Sequence, residues 1–281
     1  MTSAEMNRIE KKQTFLFATT MKLLFLTLYA TFLAVCDGGN NNPPPSTSID
    51  LRRWKLTLPV GTDGGKNGKP KEVMPDELAA GFQSEFFSLN DQGAIIFRCP
   101  FDGVTTKGTD YPRSELRELL DGKDSSVNWP LQGTHSLRAR CRIIQLPSDP
   151  KVVIGQIHGY SGTTRPLVKL QYNKDKVEAL VKISPASGKD QKLTYPNVSK
   201  NDDVHYEIKV DESILHVTVN GVTQSVNVLE YDSRWKDETF YFKAGVYPQT
   251  NQGPPGDCVT VEFYELTATH SKPVQSTTDD R

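Results

Sequence analysis

The stretch Tyr241-Phe242-Lys243-Ala244-Gly245-Val246-Tyr247-Pro248-Gln249 alternates strictly between two kinds of side chain. Successive residues of a strand point to opposite faces. Tyr241, Lys243, Gly245, Tyr247 and Gln249 therefore share one face, and Phe242, Ala244, Val246 and Pro248 share the other. The second face suits a core. The first carries two phenols, an ammonium and an amide, which is more chemistry than solvation of an exposed strand requires. An ordinary amphipathic strand is the plain alternative, and two further segments weigh against it.

Outward from this strand, the chain from about Ile49 to His270 is a series of short alternating runs broken by Gly, Pro, Asn and Asp. Examples are Trp54 to Pro59, Ala94 to Cys99, Ser136 to Ile144, Val152 to His158, Val168 to Tyr172, Val177 to Ile183, Tyr206 to Val210, Leu215 to Val219 and Val259 to Leu266. Such spacing predicts an all-β fold, an antiparallel β-sandwich of jelly-roll type with a concave substrate-binding sheet. Asn220-Gly221 predicts a type I′ turn, since both residues tolerate positive φ, and hence a hairpin from Ile214 to Val226. Pro75 to Gly81 is the one stretch that reads as helix, with proline early and glycine after its end.

Upstream, Met21-Lys22 followed by the apolar run Leu23 to Val35 and then Cys36 reads as an export signal, with Met21 a candidate start. The Leu33-Ala34-Val35-Cys36 ending resembles a lipoprotein cleavage box, which makes Cys36 the expected lipidated residue and the means of membrane attachment. A simple signal peptide cut nearby is the alternative, and either form implies an exported protein, at the cell surface or secreted. Residues 37–48 hold almost nothing to bury and predict a flexible linker. The catalytic domain is expected over residues 49–272, with a short tail at 273–281.

Of the 281 residues, 33 are basic and 34 acidic, a net charge of -1, so no global field draws in nucleic acid or an anionic membrane surface. A site for a polyanion has to be local. The four cysteines form neither CxxC pairs nor Cys/His clusters, which disfavours structural zinc. Cys141 falls on an apolar face with Leu137, Ala139 and Ile143, opposite Arg138, Arg140 and Arg142, and is expected to be a core thiol. A Cys99–Cys258 bridge is left open.

The chemistry concentrates in two more segments. In Tyr111-Pro112-Arg113-Ser114-Glu115-Leu116-Arg117-Glu118, strand alternation puts Arg113, Glu115 and Arg117 on one face, two guanidiniums flanking a carboxylate. Arginine binds carboxylates in a planar fork, so the row offers donors to an acidic ligand. A surface salt-bridge ladder is the bland alternative. Glu115 and Glu118 point to opposite faces, which disfavours the facing carboxylate pair of most glycoside hydrolases. In Val152-Val153-Ile154-Gly155-Gln156-Ile157-His158-Gly159 an apolar strand turns polar at Gln156 and His158. Lys169 and Gln171 share a face in the run that follows. If these strands are neighbours, the groove they form suits an extended, anionic, hydroxylated polymer, a uronic acid polysaccharide.

Arg113-Ser114-Glu115-Leu116-Arg117, Gln156-Ile157-His158 and Tyr241 to Gln249 resemble, in order, the three signature motifs of the family 7 alginate lyases. The similarity also takes in the Trp54 to Pro59 strand and the Asn220-Gly221 hairpin, so it spans about residues 50 to 270. Pro248 departs from it, standing where the family commonly has asparagine. The resemblance implies a β-jelly roll that binds alginate on its concave sheet and cleaves it by β-elimination, with no cofactor or metal. Carried over by motif position, Arg113 and Gln156 hold the uronate carboxylate, Tyr247 acts as the acid and His158 as the base for a proton on the opposite face. Lys243 or Arg117 is the cation expected beside Tyr247. Arg117, Glu115, Lys243, Gln249, Lys169, Gln171 and Tyr241 are expected substrate contacts. The Gln-Ile-His form of the second motif implies a preference for guluronate or mixed blocks, and the expected particle is an endolytic monomer. A lyase on another uronate polymer, such as glucuronan, and a non-catalytic glycan-binding jelly roll are the alternatives.

Overall fold

The structure, a computed structural model, describes residues 49–160, 165–186 and 188–271. The expected signal segment, Cys36, the linker and the C-terminal tail lie outside the described residues. Along the chain run β1 (Trp54–Gly61), β2 (Pro70–Val73), β3 (Phe87–Leu89), β4 (Ile95–Pro100), β5 (Ser114–Glu118), β6 (Trp129–Pro130), β7 (Thr134–Gln145) and β8 (Lys151–Gly159). There follow β9 (Pro166–Asn173), β10 (Lys176–Lys182), β11 (Asp190–Pro196), β12 (Asp203–Asp211), β13 (Ile214–Val219), β14 (Val222–Asn227), β15 (Thr239–Pro248) and β16 (Cys258–Ser271).

The strands form two antiparallel sheets. One has the order β11-β10-β9-β8-β15-β5-β1-β2 with β6 beside β15, the other β14-β13-β12-β7-β16-β4-β3. The chain changes sheet between β2 and β3, β4 and β5, β6 and β7, β7 and β8, β11 and β12, β14 and β15, and β15 and β16. These crossings place β15, late in sequence, between β8 and β5, and so bring the three motif segments side by side.

Alternation explains the core. Phe242, Ala244 and Val246 of β15 are fully buried. Phe97 lies between Phe87 and Phe263 in the facing sheet, with edge-to-face contacts at 5.2 and 5.1 Å. Each such ring contributes about 1.5–3 kcal/mol of burial. Asn220 and Gly221 both take positive φ, 47° and 82°, so the β13–β14 hairpin forms as its dipeptide predicts. A short helix, α1 (Pro75–Ala79), ends two residues before the predicted Gly81. A second, α2 (Val228–Tyr231), and a 3-10 turn (Ser233–Asp237) carry no pattern long enough to be read from sequence. Cys99, Cys141 and Cys258 are buried and unlinked, which bears out the core thiol at Cys141 and closes the Cys99–Cys258 question.

Two local irregularities aim the motif side chains. In β8 the pairing with β9 shifts between Val153 and Gly155. Val152 and Ile154 are in the hydrophobic core, yet Gln156 and His158, of the same parity, line the opposite face. A bulge inserts one residue and reverses the phase of everything after it. Tyr206, from the facing sheet, pins this bulge by donating its hydroxyl to the Ile154 carbonyl at 2.9 Å. A Cβ on Gly155 would sit 2.9 Å from the same hydroxyl, so only glycine fits. In β15, Gly245 adopts φ 138°, and a Cβ there would lie 2.6 Å from the Ser114 carbonyl oxygen. Gly245 is the cross-strand partner of Glu115, and its missing side chain lets β15 pass the Ser114 carbonyl and the Phe97 ring, which a Cβ would approach to 2.6 and 3.2 Å.

Candidate active site

A cleft of about 710 Å³ runs over the outer face of the nine-stranded sheet. Arg113, Arg117, Gln156, His158, Lys169, Tyr241, Lys243 and Tyr247 all line it. The registers Gln156↔Lys243, His158↔Tyr241 and Arg117↔Lys243 make these side chains direct cross-strand neighbours. Gln249 reaches the group by accepting a hydrogen bond from the Lys169 ammonium at 3.2 Å. Gln171 shares that sheet face but lies outside the cleft walls, opposite Val153 and Glu178.

Glu115 is the hub. Its carboxylate is 1% exposed, and it accepts from the Arg113 guanidinium at 3.1 Å, from the Lys243 ammonium and from the Gln156 amide. It therefore lies beneath the donors as their anchor, which corrects its expected role as a substrate contact. Burial raises its pKa, but Lys243, Arg113 and the hydrogen bonds from Lys243 and Gln156 outweigh that and hold it below the usual carboxylate range. Two cations against one carboxylate leave a net positive charge on the cleft floor. A carboxylate ligand offsets it.

Both arginines keep a donor in reserve. Arg113 Nε and Arg117 Nη1 are buried and without a protein partner. Arg113 is braced by Thr109 Oγ1 at 3.3 Å and lies 4.0 Å from the centre of the Tyr247 ring. Arg117 donates to the Ser125 carbonyl at 2.7 Å and Asn128 Oδ1 at 3.2 Å, and lies 4.0 Å over Tyr241. The cation facing Tyr247 is thus Arg113, and the expectation of Lys243 or Arg117 in that role is corrected: Arg117 is spent on Tyr241, and Lys243 on Glu115.

His158 has a defined tautomer. Its Nδ1 lies 2.8 Å from the Gly159 carbonyl oxygen, which only accepts, so Nδ1 carries the proton and Nε2 the lone pair. Burial, then Lys243, lower its pKa to about 3, and the ring is neutral. Tyr241 stacks on it at 5.2 Å, with its hydroxyl 3.1 Å from Nδ1. Lys243 is also depressed, to about 8, by burial and by Arg113, against the opposing pull of Glu115. Its charge is present below that value and lost above it. The expected result is an alkaline fall in kcat/KM centred near pH 8, where the free enzyme titrates. A kcat/KM profile flat to pH 9.5 would remove Lys243 as its source.

Tyr111, whose ring meets Tyr247 at 6.3 Å, and Ser125 and Asn128, which hold Arg117, were not among the residues expected at the site. These lie in loops, where no periodicity marks them. Tyr160 and Arg165 also line the cleft.

A two-sheet sandwich with a cationic cleft over its outer face is suited to an extended anionic polymer. The sequence profile of the family described as alginate lyase matches residues 49–270. An alginate lyase of Klebsiella pneumoniae is 28% identical over 286 residues, covering 81% of this chain and 92% of its own. The crystal structure of alginate lyase A1-II′, a member of polysaccharide lyase family 7, is 37% identical with a TM-score of 0.75, over 81% of this chain and 99% of that one. A variant of the same lyase in complex with substrate (GGMG) is 34% identical with a TM-score of 0.76, over 83% and 98%. The chain belongs to the alginate lyases of polysaccharide lyase family 7. It is an alginate lyase, which decides against the non-catalytic glycan-binding module.

Proposed function

We propose that the enzyme cleaves alginate endolytically, with a preference for guluronate-containing or mixed blocks, using Arg113, Gln156, His158 and Tyr247 as its reacting set. The observation that carries this reading is a neutral His158, with its Nε2 lone pair available, lining the same cleft as Tyr247, Arg113 and Gln156.

β-Elimination removes the C5 proton of a uronate and expels the O4-linked sugar, and charge develops on the carboxylate in between. Arg113, with its unpartnered Nε, and Gln156 are the donors for that carboxylate, each of a kind often worth about 3 kcal/mol in a transition state. Tyr247 delivers a proton to the departing oxygen. In mannuronate the C5 proton and O4 lie on the same side of the ring, and one residue can serve both. In guluronate they lie on opposite sides, and His158 supplies the second group. An open cleft, rather than a blind pocket, accommodates a chain running through it.

Replacement of His158 by alanine is therefore expected to lower initial rates on guluronate-rich alginate by about 10²-fold or more and on mannuronate-rich alginate by less. Equal losses on both, with the fold intact, would reassign His158 to positioning the carboxylate. Export, with Cys36 as a lipid attachment point, is the companion proposal and rests on the apolar run that ends at that cysteine. Metabolic labelling with palmitate tests it: no label, or label unaffected by Cys36→Ala, rejects lipidation at this position.

A further inference from the structure

Behind the cleft face, three titratable side chains are joined at the margin of the core, with 16% of the His270 side chain exposed. Glu118 ends β5 and points inward, 2% exposed. The ladder that pairs Lys243 with Arg117 would next pair Phe242 with Glu118, but the Phe242 N–H is taken by the Glu118 carboxylate, at 3.3 Å. The other carboxylate oxygen is 2.7 Å from His270 Nε2 on the facing sheet. His270 is the cross-strand partner of His135, and their Nδ1 atoms are 2.8 Å apart. His135 Nε2 lies 2.9 Å from the Gln132 carbonyl oxygen. Trp129 stacks on His135 at 4.4 Å, and Phe242 on His270 at 5.6 Å.

The contacts constrain the protons. A carbonyl only accepts, so His135 holds its proton on Nε2 and presents a lone pair at Nδ1. His270 Nδ1 must then donate to it. The short contact with Glu118 needs one more proton, and placing it on His270 rather than on the carboxyl group makes this contact an ion pair. With that placement the three groups sum to zero charge. The charged groups around it are Glu212 near His135, and Asp50, Arg53 and Glu265, which line a pocket with Glu118. Arg117 and Lys243 are on the other face of the sheet.

We propose that Glu118, His270 and His135 form a charge-neutral clamp, one imidazolium between a carboxylate and a neutral imidazole, which sets the position of β15 and with it Lys243 and Tyr247. Glu118 is then a positioning residue acting through the Phe242 amide. Its effect on turnover rests on the reading of β15 as the catalytic strand, whereas its protonation pattern does not.

The full chain labelled with ¹⁵N gives the first test. Imidazole nitrogen shifts at neutral pH are expected to show protons on both nitrogens of His270 and on Nε2 alone of His135. Glu118→Gln preserves every contact, since the amide oxygen accepts from Phe242 and the amide N–H donates to a neutral His270. It should leave His270 protonated on Nδ1 only, with kcat and KM within about threefold of the parent. Glu118→Leu removes the acceptor and should lower kcat by about tenfold or more at a temperature where the variant is folded, with KM little changed, as a small misplacement of reacting groups does. A singly protonated His270 in the parent overturns the clamp, as does wild-type kcat in folded Glu118→Leu or an equal loss in Glu118→Gln. If Glu118→Leu does not fold, the nitrogen spectra and the Glu118→Gln kinetics decide. If Tyr247→Phe were to keep its rate, the catalytic-strand reading would fail while the nitrogen spectra still reported on the clamp.

Discussion

Replacing Tyr247 by phenylalanine is expected to lower kcat on both guluronate-rich and mannuronate-rich alginate by about 10²- to 10⁴-fold, the range of a lost general acid. The substitution removes one oxygen. The ring, 9% exposed, keeps its contacts with Arg113 at 4.0 Å and with Tyr111 at 6.3 Å, so the fold has no reason to change. Initial rates from the ultraviolet absorbance of the unsaturated product, together with thermal melting, separate the two effects. A folded variant that retained a tenth of the parental rate on either polymer would remove Tyr247 from proton transfer.

Replacing Glu115 by glutamine should cost stability as well as activity. The change leaves Arg113 and Lys243 together in a buried site with no counter-charge, and breaking a buried pair in this way typically costs about 3–5 kcal/mol. The pH dependence has a definite sign. Lys243 is depressed already, to about 8, so the folded state binds fewer protons there than the unfolded chain between that value and the ordinary lysine pKa of about 10.4. Its penalty is full at lower pH and is relieved as pH rises through that window. Without Glu115 the depression deepens and the penalty below pH 8 grows, so the deficit of the variant should be larger at pH 7 than at pH 9. Urea denaturation at the two pH values measures it. A deficit that was the same at both would mean that Lys243 is not the group left stranded.

The strands with a buried face were legible because each alternates. β11 was not: in Asp190–Pro196 only Leu193 and Tyr195 are buried, too few for a period to show in an edge strand. The residues of the cleft were legible as chemistry, three polar motifs in otherwise apolar runs, but their wiring was not. Arg113 and Arg117 look equivalent in sequence, four residues apart. Their different partners, Tyr247 and Tyr241, are set by the antiparallel register of β5 and β15 and by the 125–128 loop. Glu115 reads as one more polar residue on the row, and its place beneath the donors is set by Lys243 and Gln156, which reach it from two other strands, β15 and β8. The abrupt change in β8 from Val152 and Ile154 to Gln156 and His158 was visible, but simple parity would have put all four on one face.

The bulge that resolves that conflict makes the inheritance of this active site wider than its contact surface. Tyr206 belongs to the other sheet and never meets the sugar, yet its hydroxyl on Ile154 is what holds the frame in which Gln156 and His158 are read outward. Deleting one residue between Val153 and Gly155 is a frameshift in space: the reading frame of the codons survives, but Gln156 and His158 are translated from the cleft into the core and Ile157 into the solvent. Tolerance to change along this enzyme will therefore not decline smoothly with distance from the substrate. It will drop sharply at a few distant positions, and a lineage that altered the bulge would have to alter Tyr206 in the same step.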